Sequence, residues 1–88
     1  MEKISLGSRF EIIQKWCKLH NLLFQFTCNG SCVGVVKGGD GVLFTSEHQD
    51  IDETIKEIYR ACLKCISQGI EPLGLDGLRY SERNQKVG

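Results

Sequence analysis

Two hydrophobic periods alternate along the chain, and the points where the period changes mark out its elements. Phe10, Ile13, Trp16 and Cys17 recur at the spacing that places side chains on one stripe of an α-helix. Ser8 and Glu11 have the Ser-x-x-Glu spacing of a capping box, in which each side chain satisfies a free backbone N–H. Glu11 and Lys15 fall on the outer face at i,i+4, in the favourable order. Asn21 follows His20 where a left-handed residue would close the helix. The spacing predicts a helix over 8–20. At Leu22 the period drops to two. Leu22, Phe24, Phe26 and Cys28 take one face and Leu23, Gln25 and Thr27 the other, as in a half-buried strand. Asn29-Gly30 predicts a tight type I′ hairpin turn. A Val-rich strand over 31–37, a glycine turn over 38–41 and a third strand over 42–46 complete an antiparallel meander.

The second helical stripe is Ile51, Ile55, Ile58, Tyr59, Cys62 and Ile66, opened by Asp50 and Glu53 as a second capping pattern. Asp52, Lys56, Glu57, Arg60 and Lys64 lie opposite. Gly69 stops the helix and Pro72 prevents its resumption. Beyond it, Ile70, Leu73, Leu75, Leu78 and Tyr80 are separated by Gly, Asp and Pro, which predicts an extended segment laying apolar side chains on a surface. Residues 81–88 are polar and are expected to fray. The fold class is therefore α+β over 1–80, αβββα, with both helices on one face of a three-stranded meander and an extended C-terminal segment.

Composition narrows the functions this fold could serve. At 88 residues the chain makes one domain, and 41% apolar residues suffice for a core. Eleven basic and eleven acidic residues give zero net charge, unlike a strongly basic nucleic-acid binder or an acidic mimic. No apolar run nears the ~20 residues of a membrane helix. The opening MEKISLGSRF has no stretch of signal-peptide length, so a soluble, cytoplasmic protein is expected. The five cysteines are odd in number, and reduced thiols acting as small apolar residues are expected instead of disulfides.

Cys28, Cys32, Cys62 and Cys65 are the only set with partial zinc spacing. To converge, the hairpin turn would have to lie against the middle of the second helix; the simpler expectation is no metal and no cofactor. For catalysis, Cys17 faces the core and His20 ends a helix. His48 shows no acid–base partner at a recognisable spacing. Gly38-Gly39-Asp40-Gly41 joins two strands, whereas a phosphate loop leads into a helix. No enzyme is expected.

The element order over 8–68 resembles the double-stranded RNA-binding domain. That family grips phosphates with a Lys-rich start to its second helix and inserts a loop between its first strands into the minor groove. Here that helix begins Glu47-His48-Gln49-Asp50-Ile51-Asp52-Glu53, and the first turn is the tight Cys28-Asn29-Gly30-Ser31. Nucleic acid is not the expected partner. In small size, neutral charge and single sheet the chain looks like the accessory proteins of phages and mobile elements, among them anti-CRISPR proteins, which implies an inhibitor that occupies a host defence protein. The expected function is thus a non-catalytic protein–protein interaction module. Helices on one side leave the other sheet face, with Leu23, Gln25 and Thr27, open to the C-terminal segment, to another protein or to a second copy. The candidate contact residues are those three with Leu73, Leu75, Leu78 and Tyr80.

Overall fold

The structure is a computed structural model that describes residues 5–79. Its elements are α1 (Leu6–Leu19), β1 (Leu23–Asn29), β2 (Ser31–Gly38), β3 (Gly41–His48) and α2 (Ile51–Gln68). The order αβββα is as expected. Tyr80 and the polar tail lie outside the described residues.

Helix α1 starts two residues before the expected point. Ser5 is the cap, its Oγ accepting the Ser8 N–H at 3.1 Å. Ser8 therefore lies inside the helix, and Glu11 pairs with Lys15 at 3.8 Å. Ser5 stands three residues ahead of Ser8, so the same capping geometry exists one turn earlier, and that turn packs Leu6 against the core. At the other end Asn21 is left-handed with φ 57°. The Leu22 N–H donates to the Cys17 carbonyl at 2.7 Å and that of Asn21 to Lys18 at 3.2 Å. This Schellman closure leads α1 directly into β1.

The sheet has the order β1-β2-β3 with both pairs antiparallel. The first turn differs from expectation. Asn29 pairs with Ser31, leaving Gly30 alone at the tip with φ 82°. The expected type I′ turn requires positive φ at Asn29 as well, and Asn21 is the only described non-glycine residue with positive φ. Pairing has simply advanced further toward the tip than a two-residue turn permits. Between β2 and β3 a bulge at Val36/Lys37 leaves Leu43 without a partner. Leu43 and Phe44 consequently both pack against the core.

Both helices cover the same sheet face. Phe10 of α1 meets Phe24 and Phe26 of β1 at ring separations of 5.2 and 5.9 Å, and Trp16 stacks on Phe44 of β3 at 5.9 Å. Helix α2 lies closely over β2 because Gly34 has no side chain; a Cβ there would stand 3.3 Å from Ile58 Cγ1. The Thr54 hydroxyl donates to the Cys32 carbonyl at 3.0 Å and ties the start of α2 to β2. Ile13, Val36, Ile55, Ile58 and Cys62 are fully buried between the layers. Ile51 and Ile66, expected in the same stripe, are exposed, since they occupy the first and last turns of α2.

After Gly69 the chain runs as an irregular strap. The Leu73 carbonyl accepts the Gly39 N–H at 2.9 Å, and the Leu75 N–H donates to the Asn21 carbonyl at 2.8 Å. Pro72 and Gly74 are buried. A Cβ on Gly38 would stand 2.4 Å from the Leu73 oxygen, and one on Gly74 2.6 Å from the His20 oxygen. The strap thus stitches the end of α1 to the β2–β3 turn. Gly38 is in phase with Gly34 and Val36, so this contact closes the end of the core on the helix side. It does not lie across the open sheet face. Among the described residues no helix is long and apolar enough to cross a membrane.

Candidate interaction surface

The strand register orders the uncovered face into three rows. Leu23, Lys37 and Val42 form one; Gln25, Val35 and Thr45 the next; Thr27, Val33 and Glu47 the third. Leu23 and Val42 are 40% and 58% exposed, while Val33 and Val35 are half-buried by their neighbours on the sheet. Lys37 and Glu47 carry opposite charges in the two outer rows. Glu47 accepts a hydrogen bond from the Ser31 hydroxyl at 2.8 Å. The result is a flat, β-branched, electrically neutral surface. The Thr45 hydroxyl is turned to the Gly34 carbonyl at 3.0 Å and is part of the sheet's own bonding.

Of the expected contact residues, Leu23, Gln25 and Thr27 share this face, whereas the strap residues do not join them. Leu73 and Leu78 are half-buried and Leu75 is exposed, all on the strap at the end of the core. Tyr80 lies outside the described residues. The six described positions therefore belong to two separate places.

A second apolar surface was not expected from the sequence. Leu19, Ile66 and Ile70 rise around a groove of about 350 Å³ whose floor includes Trp16, His20 and Cys65. It lies between the C-terminal turns of the two helices. Ile66, expected in the buried stripe of the second helix, and Ile70, expected in the extended segment, come together here on either side of the Gly69 cap, and both are exposed.

The cysteines divide between core and hairpin. Cys17 and Cys62 are buried, and burial pushes their thiols up to about 11 and about 12 respectively. Burial also raises Cys65. Cys28 and Cys32 face each other across β1 and β2, with Cys32 beside the first turn of α2 through Thr54. Cys28 was expected to continue the buried Phe24 and Phe26 face, but it is exposed near the hairpin tip. Thr54 and Cys62 are eight residues apart on α2, about 12 Å at the helical rise, so the four candidate zinc ligands do not converge. Among the described residues no group of three or more His, Cys, Asp or Glu is placed to hold a metal ion.

His48 does have a partner, contrary to the sequence reading. Its Nε2 lies 2.8 Å from Glu57 Oε1, and the Ser46 hydroxyl donates to the same oxygen. Those two contacts, Ser46 first, hold the Glu57 carboxyl below its ordinary range. Ser, His and Glu meet here, but as two donors sharing one carboxylate oxygen. A nucleophile–base pair needs the histidine on the serine hydroxyl, so the arrangement fastens β3 to α2 and does not activate Ser46.

Comparison of the chain with protein-family models, with curated proteins and with solved structures finds no match.

Proposed function

We propose that the protein is a non-catalytic protein–protein interaction module that works through the open sheet face. The observation that carries this reading is the three-row surface from Leu23 to Glu47, on which no described element lies. Its centre, Val33 and Val35 flanked by Thr27 and Thr45, is stiff at χ1, so docking on it loses little side-chain freedom. Lys37 and Glu47, in opposite outer rows, give a partner a direction. A second copy turned about a two-fold axis perpendicular to the strands and parallel to the sheet would set the row of Lys37 in each copy against the row of Glu47 in the other, the self-complementarity an isologous dimer needs.

A cytoplasmic location suits five free cysteines, because reducing pools keep thiols unpaired. An inhibitor of a host defence protein, of the kind phages carry, suits a small neutral chain that acts by occupying a surface and needs no reaction chemistry. A small nucleic-acid-binding domain is the alternative, favoured by the αβββα order and opposed by Asp52 and Glu53 in the first turn of α2. Affinity capture with the tagged full chain from lysate, with and without nuclease, separates the two. A stoichiometric protein partner that survives nuclease supports the module. A partner released by nuclease overturns it in favour of nucleic acid.

A further inference from the structure

Cys28 and Cys32 are direct register partners, one pair back from the hairpin tip. Residues opposed in this way in an antiparallel ladder have Cα atoms about 4.5–5.5 Å apart, inside the span of about 4.4–6.8 Å that a disulfide bridges. The two differ in access: Cys28 is exposed and Cys32 is buried. The hydrogen bond to Cys28, then burial, then the charges of Cys28 and Asp50 push the Cys32 thiol up to about 11. Cys32 therefore keeps its proton near neutral pH. Neither thiol serves the main core, which Cys17 and Cys62 help to fill.

We propose that Cys28 and Cys32 form a reversible thiol–disulfide site for low-molecular-weight disulfides. Cys28, the accessible member, attacks as thiolate on one sulfur of the small disulfide; that S–S bond breaks and one thiolate leaves. The mixed disulfide on Cys28 then faces Cys32 across the ladder. Cys32 gives its proton to solvent and attacks Cys28 Sγ, expelling the second thiolate as the intramolecular bond closes. The protein loses two electrons and two protons, and the small disulfide becomes two thiols. Excess small thiol drives the same steps backward. The strands already hold both cysteines in register, so the closing step needs no rearrangement of the fold. The site is independent of the open face, because the pair projects to the helix-covered side.

The test uses the full chain, native, with oxidised glutathione as probe at a series of ratios to reduced glutathione. Remaining thiols are alkylated and the tryptic peptides weighed. Cleavage after Lys18 and Lys37 releases both cysteines, and no others, in one peptide over 19–37. The expected result is that this peptide escapes alkylation and loses the two thiol hydrogens while Cys17, Cys62 and Cys65 remain alkylated, and that reduced glutathione reverses the change. Cys28→Ser, an exposed replacement, leaves Cys32 reduced at every ratio. Any of three results overturns the proposal: a 19–37 peptide that stays fully alkylated, one that stops at the mixed disulfide, or thiols that react only after a chelator removes a bound metal.

Discussion

Ile55 and Ile58 have essentially no exposed surface, and Ile58 rests on Gly34, where β2 offers no side chain to hold α2 away. Truncating either to Ala leaves a cavity in a layer that cannot collapse. Each variant is expected to lose about 2–5 kcal/mol in urea unfolding; a loss under about 0.5 kcal/mol, typical of surface sites, would mean the helix is turned differently. Glu57 acts through pH. Its folded-state carboxyl is held low by the Ser46 hydroxyl and then His48. The stability it adds is present above the ordinary carboxyl value and is lost as pH falls through the folded value. Glu57→Gln should therefore lower the Tm near neutral pH and narrow the Tm gap between about pH 7 and about pH 3 relative to wild type. Equal gaps in the two proteins would contradict that role. The Ser46–His48–Glu57 cluster was not legible in the sequence, because nine to eleven residues and a strand-to-helix turn separate Glu57 from the other two. Cys28 was misjudged for a related reason: alternation assigns a face but not how far along it the helices reach.

Among the elements, those with a strong period were legible and those set by single contacts were not. The two helices, the three strands and the shared face follow from spacing at Phe10, Ile13, Trp16, Phe24, Phe26, Ile55 and Ile58. Boundaries moved where two residues could do the same work, as with Ser5 and Ser8 at the start of α1. The strap was legible as an irregular apolar segment, but its position was not. It is decided by backbone approaching backbone at Gly38 and Gly74, and a sequence records this only as the absence of a side chain. Adding one makes a test. Gly38→Ala puts a Cβ against the Leu73 oxygen and is expected to cost about 1–3 kcal/mol, as overpacking does. It should also speed hydrogen exchange at the Leu75 amide, which bonds to Asn21. Unchanged exchange there would show that the strap is held by other contacts.

For the whole molecule, neutrality decides more than any single charge. Eleven cations balance eleven anions, and the first turn of α2 is acidic. Lys15, Lys18, Lys37 and Arg79 are dispersed, and Lys15 is paired with Glu11. Phosphate binding draws its affinity from clustered cations and weakens steeply with salt. No retardation of duplex RNA or DNA is therefore expected at micromolar protein and physiological salt; tight, salt-steep binding would reinstate the RNA-binding resemblance. What the architecture leaves available is surface. Two apolar surfaces compete: the flat face around Val35 and the groove rimmed by Leu19, Ile66 and Ile70. The composition of each was visible in the sequence, but their exposure depends on where the strap and the Gly69 cap send the chain. The decisive measurement is the affinity of the captured partner, or of the second copy, for wild type, Val35→Asp and Ile66→Asp. Val35→Asp places a charge at the centre of the open face and is expected to weaken binding about thirtyfold or more, the scale of an interface hot spot, while Ile66→Asp leaves it unchanged. Loss of binding in Ile66→Asp with full affinity in Val35→Asp would contradict the account and move the contact to the groove.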